Sequence, residues 1–243
     1  MPEDGRAAWP PATPWWATVP DQIGRRMLAL FGARCSSGWD DVRRALGDPD
    51  SILCLGNGPS SELDAVHDVR FDRLFRVNWI WSDRARHVSP DVVFTADLDP
   101  PTARPTPTIC FPTRQDANRI LASYVVRRIP LPSAYWVFPE LPSESVTKTW
   151  SHRPTNGAIM VAAAVQLRPK RLAIAGIDLY LHPDGKYPGS RDEPNSYDSI
   201  HDRDVDLDFI IAALRGFTGE VEILSPQLRS TLEARTGLAW GPN

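Results

Sequence analysis

The chain has 243 residues, 42% of them hydrophobic and 23% charged, so it can bury the core of one large globular domain. Its net charge of −3 and its lack of a dense lysine and arginine stripe exclude the basic surface of a nucleic-acid-binding protein. No apolar run reaches the length of about 18 residues that a membrane-spanning helix needs. The three cysteines lack metal-ligand spacing, and the N-terminus is acidic and rich in proline rather than built as a signal peptide, so we expect a cytoplasmic protein with reduced thiols.

Residues 1–50 differ from the rest of the chain and are expected to form a Trp- and Pro-rich helical extension. Helical patterns cover Asp21–Phe31 and Ser37–Leu46. We interpret the tryptophans of this segment as packing over the main domain. Contact with a membrane surface or a partner stays open, because arginines lie beside these tryptophans. The tryptophans are Trp9, Trp15, Trp16 and Trp39.

From Ser51 onward, strand and helix patterns alternate. Strands are predicted at Ser51–Leu55, Arg73–Val77, Asp91–Ala96, Thr108–Phe111, Tyr135–Phe138, Arg171–Ala175 and Val221–Leu224. Helices are predicted at Ser61–His67, Arg114–Val125, Thr155–Leu167, Asp202–Phe217 and Gln227–Arg235. Continuous apolar strands are typical of a sheet that helices cover on both faces. We therefore expect residues 51–243 to form a three-layer, Rossmann-like α/β domain with a mostly parallel sheet, whose ligand binds beyond the carboxyl ends of the strands.

One polar stretch interrupts this alternation, HPDGKYPGSRDEPNSYDS at His182–Ser199. It is too long for a routine connection and has no core-forming pattern. Because it leaves a strand end and stops close to a histidine, we interpret residues 182–200 as a flexible lid over a ligand. Tyr197 within it is a lesser candidate for contact with an acceptor.

The motif LGNGPS follows the first predicted strand and contains Gly56, Asn57 and Gly58. Glycines here indicate a sharp bend or a close approach to the backbone, and Pro59 opens a helix. Strand, glycine turn and helix start is a layout that α/β folds use for anionic ligands. The third glycine of the dinucleotide fingerprint is replaced by Ser61, and an ordinary strand-to-helix turn is an equal alternative.

A consistent set of residues follows the other predicted strands, precedes the helix at Thr155 or ends the lid: Asn78, Arg153, Thr155, Asn156, Gly157, Asp178, Tyr180, Tyr187 and His201. Amide side chains can donate to a phosphate or a sugar hydroxyl. Phenol groups can stabilise a departing phosphate oxygen, a task that a divalent cation often performs. A histidine at a helix N-terminus is disfavoured as imidazolium, so we expect His201 to be neutral near pH 7 and able to take a proton from a hydroxyl. Helix capping or a surface position is its alternative.

Four blocks in this order resemble the motifs of the small bacterial sialyltransferases: LGNGPS, FRVNWIW, RPTNGAIMVAAAVQLRPKRLAIAGIDLY and SIHDRDVDLDFIIAAL. The resemblance runs from about Ser51 to Pro226. It implies a metal-independent, inverting enzyme that uses a CMP-activated sugar and needs no cofactor. Flagellin-modifying motility accessory factors and a group of pterin diphosphokinases look similar around the same glycine turn.

The resemblance also implies roles for the matching residues. Asn57 and Asn78 would contact the donor, and Thr155–Gly157 would hold the carboxylate and hydroxyls of its sugar at a helix start. Tyr180 and Tyr187 would steady the phosphate of the departing CMP, and His201 would be the general base. Arg153 would face the acceptor or pair with a donor carboxylate. Asn156 stands where the family typically has serine, and residues 97–150 match no family motif, which leaves the acceptor open.

Two other functions compete with this interpretation. Asp97-Leu98-Asp99 spells the D-x-D of many metal-dependent nucleotide-sugar transferases, but Pro100 and Pro101 favour a turn. A magnesium-dependent, pterin diphosphokinase-like enzyme would use these carboxylates. A non-catalytic nucleotide-binding module would bind CMP without transfer.

The sequence thus predicts a glycosyltransferase of cell-surface glycan biosynthesis. It would move a sialic-acid-like nonulosonic acid, such as sialic acid, Kdo or pseudaminic acid, from its CMP donor to a hydroxyl of a glycan, a lipid-linked sugar or a protein. A peripheral contact with the inner face of the membrane and formation of a homo-oligomer stay open.

Overall fold

A computed structural model describes residues 9–10, 18–84, 86–99, 101, 105–181, 188 and 201–240. Within these ranges the strands are β1 (Arg34–Cys35), β2 (Ser51–Leu55), β3 (Arg73–Val77), β4 (Val92–Phe94), β5 (Thr108–Phe111), β6 (Ala134–Val137), β7 (Arg171–Ala175) and β8 (Glu220–Ile223). The α-helices are α1 (Thr18–Leu30), α2 (Trp39–Ala45), α3 (Asp64–His67), α4 (Arg114–Val126), α5 (Glu144–Thr147), α6 (Asn156–Gln166), α7 (Arg203–Leu214) and α8 (Pro226–Thr236). Apart from Pro188, the predicted lid lies outside the described residues, as do Trp15, Trp16, Tyr187 and Tyr197.

The eight strands form one sheet in the order β1-β6-β5-β4-β3-β2-β7-β8. Every strand pair in it is parallel, which confirms the predicted α/β class. β2, β3, β5 and β7 have the predicted bounds, β4 is shorter, and β6 and β8 are shifted by one residue. β1 was not predicted, because two residues carry no readable pattern.

Helices cover both faces of the sheet, and side chains alternate between them. On β2, Ile52 and Cys54 belong to the buried cluster that includes α6, α7 and α8. Leu53 and Leu55 belong to a second cluster that includes Val66 of α3. A third cluster joins α4 to β5 and β6. This alternation gives the three layers that continuous apolar strands predicted.

Helix α6 forms the centre of the larger cluster. Its residues from Ala158 to Val165 are all buried, and it packs against the sheet on one side and α7 on the other. Four alanines on the helix let these layers approach closely. The apolar stretch Ile159–Val165 therefore serves as helix core.

The described part of the N-terminal extension joins the same core. Trp9 is 2% exposed and pairs with Trp150 through two backbone hydrogen bonds of 3.0 and 2.8 Å. Its ring also packs edge-on against Phe209 of α7. Trp39 donates its indole N–H to Pro142 O at 2.8 Å. In the described ranges no helix is both long and apolar enough to cross a membrane.

The order in which successive strands are added to the sheet changes direction at the pair formed by β2 and β7. These strands are adjacent, but β3 follows β2 on one side and β8 follows β7 on the other. Such a switch point opens a crevice beyond the carboxyl ends of the two strands, where open parallel sheets bind their ligands.

Candidate active site

A cavity of about 280 Å³ lies at this switch point. Every predicted site residue that the structure describes contributes to its wall: Gly56, Asn57, Gly58, Asn78, Arg153, Thr155, Asn156, Gly157, Asp178, Tyr180 and His201. Residues from five segments that are separated in sequence therefore meet in one place.

The two glycines after β2 are required by the loop after β7. Gly56 N and Gly58 N donate to the carbonyl oxygens of Ala175 and Gly176, both at 2.8 Å. A Cβ at Gly56 would collide with the carbonyl of Gly176, and one at Gly58 would collide with the Asp178 carboxylate. The close approach inferred from LGNGPS is therefore an approach of the chain's own backbone, which fixes the rim of the cavity.

Asp178 fastens these two loops together. Its carboxylate accepts hydrogen bonds from the backbone N–H of Ser60 at 2.9 Å and from the Ser60 hydroxyl. The Ser60 hydroxyl in turn contacts Ser225 Oγ at 2.7 Å, and Ser225 Oγ accepts from Ile177 N at 3.1 Å. Asp178 is 5% exposed, so the residue predicted to bind substrate also bridges β2 and β7.

Three amide side chains on the wall are held in fixed orientations. Asn57 Nδ2 donates to Val77 O at 2.9 Å, and its Oδ1 accepts from Arg76 at 3.3 Å. Asn156 Nδ2 donates to Asn78 Oδ1 at 3.0 Å. Asn78 adopts a left-handed backbone with φ of 52°, which asparagine tolerates better than most residues. Since each amide nitrogen carries two hydrogens, this row can still donate to a ligand.

The N-terminus of α6 opens into the cavity. Thr155 caps the helix, because its Oγ1 accepts from Ala158 N at 3.3 Å. The following residues, Asn156 and Gly157, line the cavity. Backbone N–H groups in the first turn of a helix lack partners within the helix and favour an anion. The residues predicted to hold the sugar carboxylate therefore form a site with the right polarity.

Asp206 of α7 also lines the cavity, and sequence reasoning missed it. It is 3% exposed, and its Oδ1 accepts from Thr155 N at 2.7 Å. Burial raises the pKa of this carboxyl to about 7, although the hydrogen bonds from Thr155 oppose the shift. The signal in the sequence is that Asp206 lies three and four residues before the apolar residues Phe209 and Ile210, and therefore on the same face of the helix. Asp206 shares the buried face of α7 with Phe209 and Ile210, where an acidic residue is unusual.

His201 is oriented by the backbone of the loop before α6. Its Nδ1 lies 2.8 Å from Arg153 O. A carbonyl oxygen only accepts, so Nδ1 carries the hydrogen and Nε2 is the basic nitrogen of the neutral ring. The Arg153 guanidinium is 3.5 Å from Asp116 Oδ2. The arginine and the histidine thus reach the cavity from one anchored unit.

Tyr180 stands on a strained backbone at the mouth of the cavity. It and Leu179 have left-handed φ values of 57° and 49°. Two consecutive non-glycine residues in this region cost energy, and Leu181 N donates to Asp178 O at 2.8 Å, which closes the turn. This turn places Leu179 and Tyr180 on the cavity wall. Its predicted partner Tyr187 lies outside the described residues.

Two arginines with largely buried side chains, Arg76 and Arg84, form hydrogen bonds with Asn57 in the glycine turn, and neither was predicted. Arg76 of β3 is 1% exposed, and burial, followed by the charge of Arg84, lowers its pKa to about 9. Arg84 donates to Asn57 O at 3.1 Å and to Pro188 O at 3.3 Å. The sequence signal was an arginine within the buried strand RLFRV.

Asp97 lines the cavity, while Asp99 lies two residues beyond it. Burial, and then the charge of Asp99, raises the pKa of Asp97, whereas Arg119 and Arg153 lower it. Asp97 N donates to Thr95 Oγ1 at 3.0 Å in a segment without regular structure. Among the described residues, no group of three or more His, Cys, Asp and Glu side chains is arranged to hold a metal ion.

Comparison with known proteins gives matches among solved structures. No protein-family model matches the chain, and no curated protein matches it. The sialyltransferase CstII from Campylobacter jejuni, in complex with the substrate analogue CMP-3FNeuAc, superposes with a TM-score of 0.50 and 17% identity, over 79% of this chain and 86% of CstII. The fold is similar to that of CstII.

Two further CstII structures give the same result. A CstII variant in complex with CMP has a TM-score of 0.53 and 18% identity, over 79% of this chain and 87% of CstII. CstII in complex with a trisaccharide acceptor and CMP has a TM-score of 0.50 and 17% identity, over 79% and 86%. The resemblance inferred from the four sequence blocks is confirmed at the level of the fold.

Proposed function

We propose that the chain is an inverting glycosyltransferase that moves a sialic-acid-like nonulosonic acid from its CMP donor to an acceptor hydroxyl. The observation that carries the proposal is His201, whose Nδ1–H is engaged by Arg153 O at 2.8 Å on the wall of the cavity. A neutral imidazole held in this tautomer is a suitable general base.

The donor carries a phosphate and a sugar carboxylate, and the cavity offers neutral donors for both. The amides of Asn57, Asn78 and Asn156 form one wall. The N-terminus of α6 supplies backbone N–H groups and a favourable dipole for the carboxylate. We therefore propose that the amide wall binds the phosphate of the donor and that the start of α6 binds the carboxylate of its sugar.

The leaving group is CMP, and Tyr180 is proposed to stabilise it. As the bond between the anomeric carbon and the phosphate oxygen breaks, negative charge grows on that oxygen. A phenol hydroxyl at the cavity mouth can donate to it, which gives the reaction a means of charge stabilisation without a metal. Tyr187 would join Tyr180 when the segment at 182–200 closes over the donor.

The acceptor oxygen attacks the anomeric carbon from the face opposite CMP. Its proton passes to Nε2 of His201, a new carbon–oxygen bond forms, and the bond to CMP breaks with both electrons leaving on the phosphate. The configuration at the anomeric carbon is inverted by this single displacement. Arg153, anchored by Asp116 at 3.5 Å, is proposed to position the acceptor.

The comparisons support the substrate classes. CstII has been crystallised with CMP-3FNeuAc and with a trisaccharide acceptor and CMP. A CMP-activated donor and a glycan acceptor are therefore the natural first substrates to test. Transfer assays with different CMP-activated sugars, and with glycan, lipid-linked and protein acceptors, would identify the sugar, the linkage and the acceptor.

A nucleotide panel tests the donor class directly. Thermal unfolding would be followed with CMP, CDP, UDP, GDP and ATP, each with and without Mg²⁺. A ligand that binds only the folded state at about 100 times its dissociation constant stabilises it by about 2.7 kcal/mol. We expect stabilisation by CMP that EDTA does not reduce. Stabilisation by ATP with Mg²⁺ and none by CMP contradicts the proposal.

The position of Asp97 keeps the pterin diphosphokinase-like reaction as a second candidate. Its carboxylate lines the same cavity and could bind a magnesium-bound diphosphate. Transfer from ATP to a pterin that stops in EDTA, and that Asp97→Asn abolishes, would favour this candidate. CMP-sugar turnover in EDTA would exclude it.

For location, we propose a cytoplasmic protein with a peripheral contact at the inner face of the membrane. Met27, Leu30 and Phe31 at the end of α1 are 55%, 87% and 63% exposed, and Arg26 beside them is exposed. Apolar side chains next to arginine fit an anionic lipid surface. Sedimentation with anionic vesicles should be lost in Leu30→Glu, and equal sedimentation of both proteins contradicts the contact.

A further inference from the structure

Asp206 contributes a carboxyl group to the cavity wall, and the proposed reaction gives it no role. Asp206 lies on the buried face of α7 and is 3% exposed. Its Oδ1 accepts the backbone N–H of Thr155 at 2.7 Å, directly before the helix start that is proposed to hold the sugar carboxylate. Asp206 also forms part of the cavity wall, and the hydrogen bonds that its carboxyl group receives in the structure come from Thr155.

The surroundings of Asp206 oppose a negative charge. Asp202, which caps the same helix, adds to the shift that burial causes in its pKa. α6, which packs against α7, contributes uncharged residues from 156 to 166. Among the residues that the structure describes, the charged and titratable groups that line the cavity or add to the pKa shift of Asp206 are Arg153, His201, Asp202, Asp97, Asp178 and Tyr180. Arg153 is the one cation in that set with a fixed charge, and it already faces Asp116.

We propose that Asp206 is a further donor-binding residue, which acts as the neutral acid and donates a hydrogen bond to an anionic group of the donor, the sugar carboxylate. This inference rests on the proposed function. Oδ1 keeps its bond to Thr155 N, and the protonated oxygen faces the ligand. Asp206 thereby fixes both the helix start and the anion that the helix start receives.

The chemistry follows from charge. An ionised Asp206 would stand beside a donor that carries a carboxylate and a phosphate, and like charges in a confined, weakly solvated site repel strongly. The protonated carboxyl removes that repulsion and supplies a donor to a charged acceptor, a strong class of hydrogen bond. Burial brings the pKa of Asp206 to about 7, so the acid form is well populated at neutral pH before any ligand binds.

Donor binding is therefore linked to a proton. Only the acid form binds well, so affinity falls as pH rises through the pKa of Asp206. Asp206→Asn keeps the shape, the acceptor for Thr155 N and a donor toward the ligand, but cannot ionise. This variant should bind better than the wild type at high pH, an outcome that misfolding cannot produce.

The experiment measures dissociation constants for CMP-3FNeuAc and for CMP by calorimetry, at about pH 6 and about pH 8.5. Wild type, Asp206→Asn and Asp204→Asn are compared. Asp204 is the matched control, because it is an exposed aspartate in the first turn of the same helix. The ratio of variant to wild-type affinity at each pH cancels the titration of the ligand's own phosphate.

We expect Asp206→Asn to match the wild type at the lower pH and to bind CMP-3FNeuAc about tenfold or more tightly than wild type at the higher pH. The effect should be smaller for CMP, which lacks the carboxylate, and Asp204→Asn should follow the wild type. Equal pH dependence of wild type and Asp206→Asn overturns the inference while leaving the proposed function intact. Failure of the wild type to bind CMP at either pH contradicts the proposed function itself.

Discussion

His201 Nδ1 lies 2.8 Å from the carbonyl oxygen of Arg153, so the candidate base is anchored by the loop that precedes α6. The same loop continues into Thr155, which caps α6 and is bonded to Asp206. His201, Arg153 and the start of α6 are therefore parts of one hydrogen-bonded unit. Movement of this loop would displace all three together.

Replacement of His201 by alanine should remove turnover and leave donor binding in place. The lost general base is worth about 10²–10⁴-fold in kcat, whereas the amide wall that is proposed to hold CMP is unchanged. The measurement is kcat by CMP release beside the dissociation constant of CMP. His152→Ala is the control, since this histidine contacts Ser151 at 3.2 Å and does not line the cavity. Unchanged kcat in His201→Ala would remove His201 from the mechanism.

Tyr180→Phe should slow transfer more than it weakens binding. The ring and its strained backbone remain, but the hydroxyl that would stabilise the departing phosphate is gone. Loss of one such donor costs about 10²–10³-fold in kcat when the interaction forms in the transition state. Tyr135→Phe, on β6 and away from the cavity wall, should keep wild-type kcat. Equal losses in kcat and in donor affinity for Tyr180→Phe would reduce its role to ground-state binding.

Gly56→Ala should destabilise the fold. Its new methyl group would collide with the backbone carbonyl of Gly176. This carbonyl cannot move away at low cost, because it accepts a hydrogen bond from Gly58 N. We expect a loss of about 2 kcal/mol or more in the free energy of unfolding. Gly216→Ala, with nothing within 4 Å of its added Cβ, should change stability by about 0.5 kcal/mol or less. Equal urea midpoints for the two variants would contradict the loop contact.

Asp206 should make folding stability depend on pH. Its pKa rises from 3.8 unfolded to about 7 folded, so its contribution is fully present below pH 3.8 and is lost as pH rises through 7. The free energy of unfolding of wild type minus that of Asp206→Asn should fall by up to about 4 kcal/mol across this window. Urea titrations of both proteins between about pH 4 and 8 measure this difference. A difference that stays constant with pH would contradict the raised pKa.

The strand ends were the part of the site that the sequence could predict. β2, β3 and β7 are continuous apolar runs with clear ends, and parallel strands bring their carboxyl ends to one edge. The sequence alone therefore predicts that Asn57, Asn78 and Asp178 lie close together. β1 escaped prediction, since its two residues are held by pairing with β6 rather than by their own pattern.

The rest of the site depends on contacts between distant segments. No local sequence pattern shows that position 56 must be glycine. The reason is the carbonyl of Gly176, which lies 120 positions later in the printed sequence and would collide with a side chain at position 56. Asp206 and Arg76 fall within a predicted helix and a predicted strand, and each is a charged residue at a core position. Polar residues that fall on the buried face of a predicted element are the signal that would have found both.

A crystal structure of the protein with CMP tests the central claim most directly. We expect the nucleotide in the cavity between β2 and β7, with its phosphate near the Tyr180 hydroxyl and with Nε2 of His201 facing the space that the sugar would fill. CMP bound elsewhere on the protein, or Nε2 of His201 turned away from the nucleotide, would contradict it.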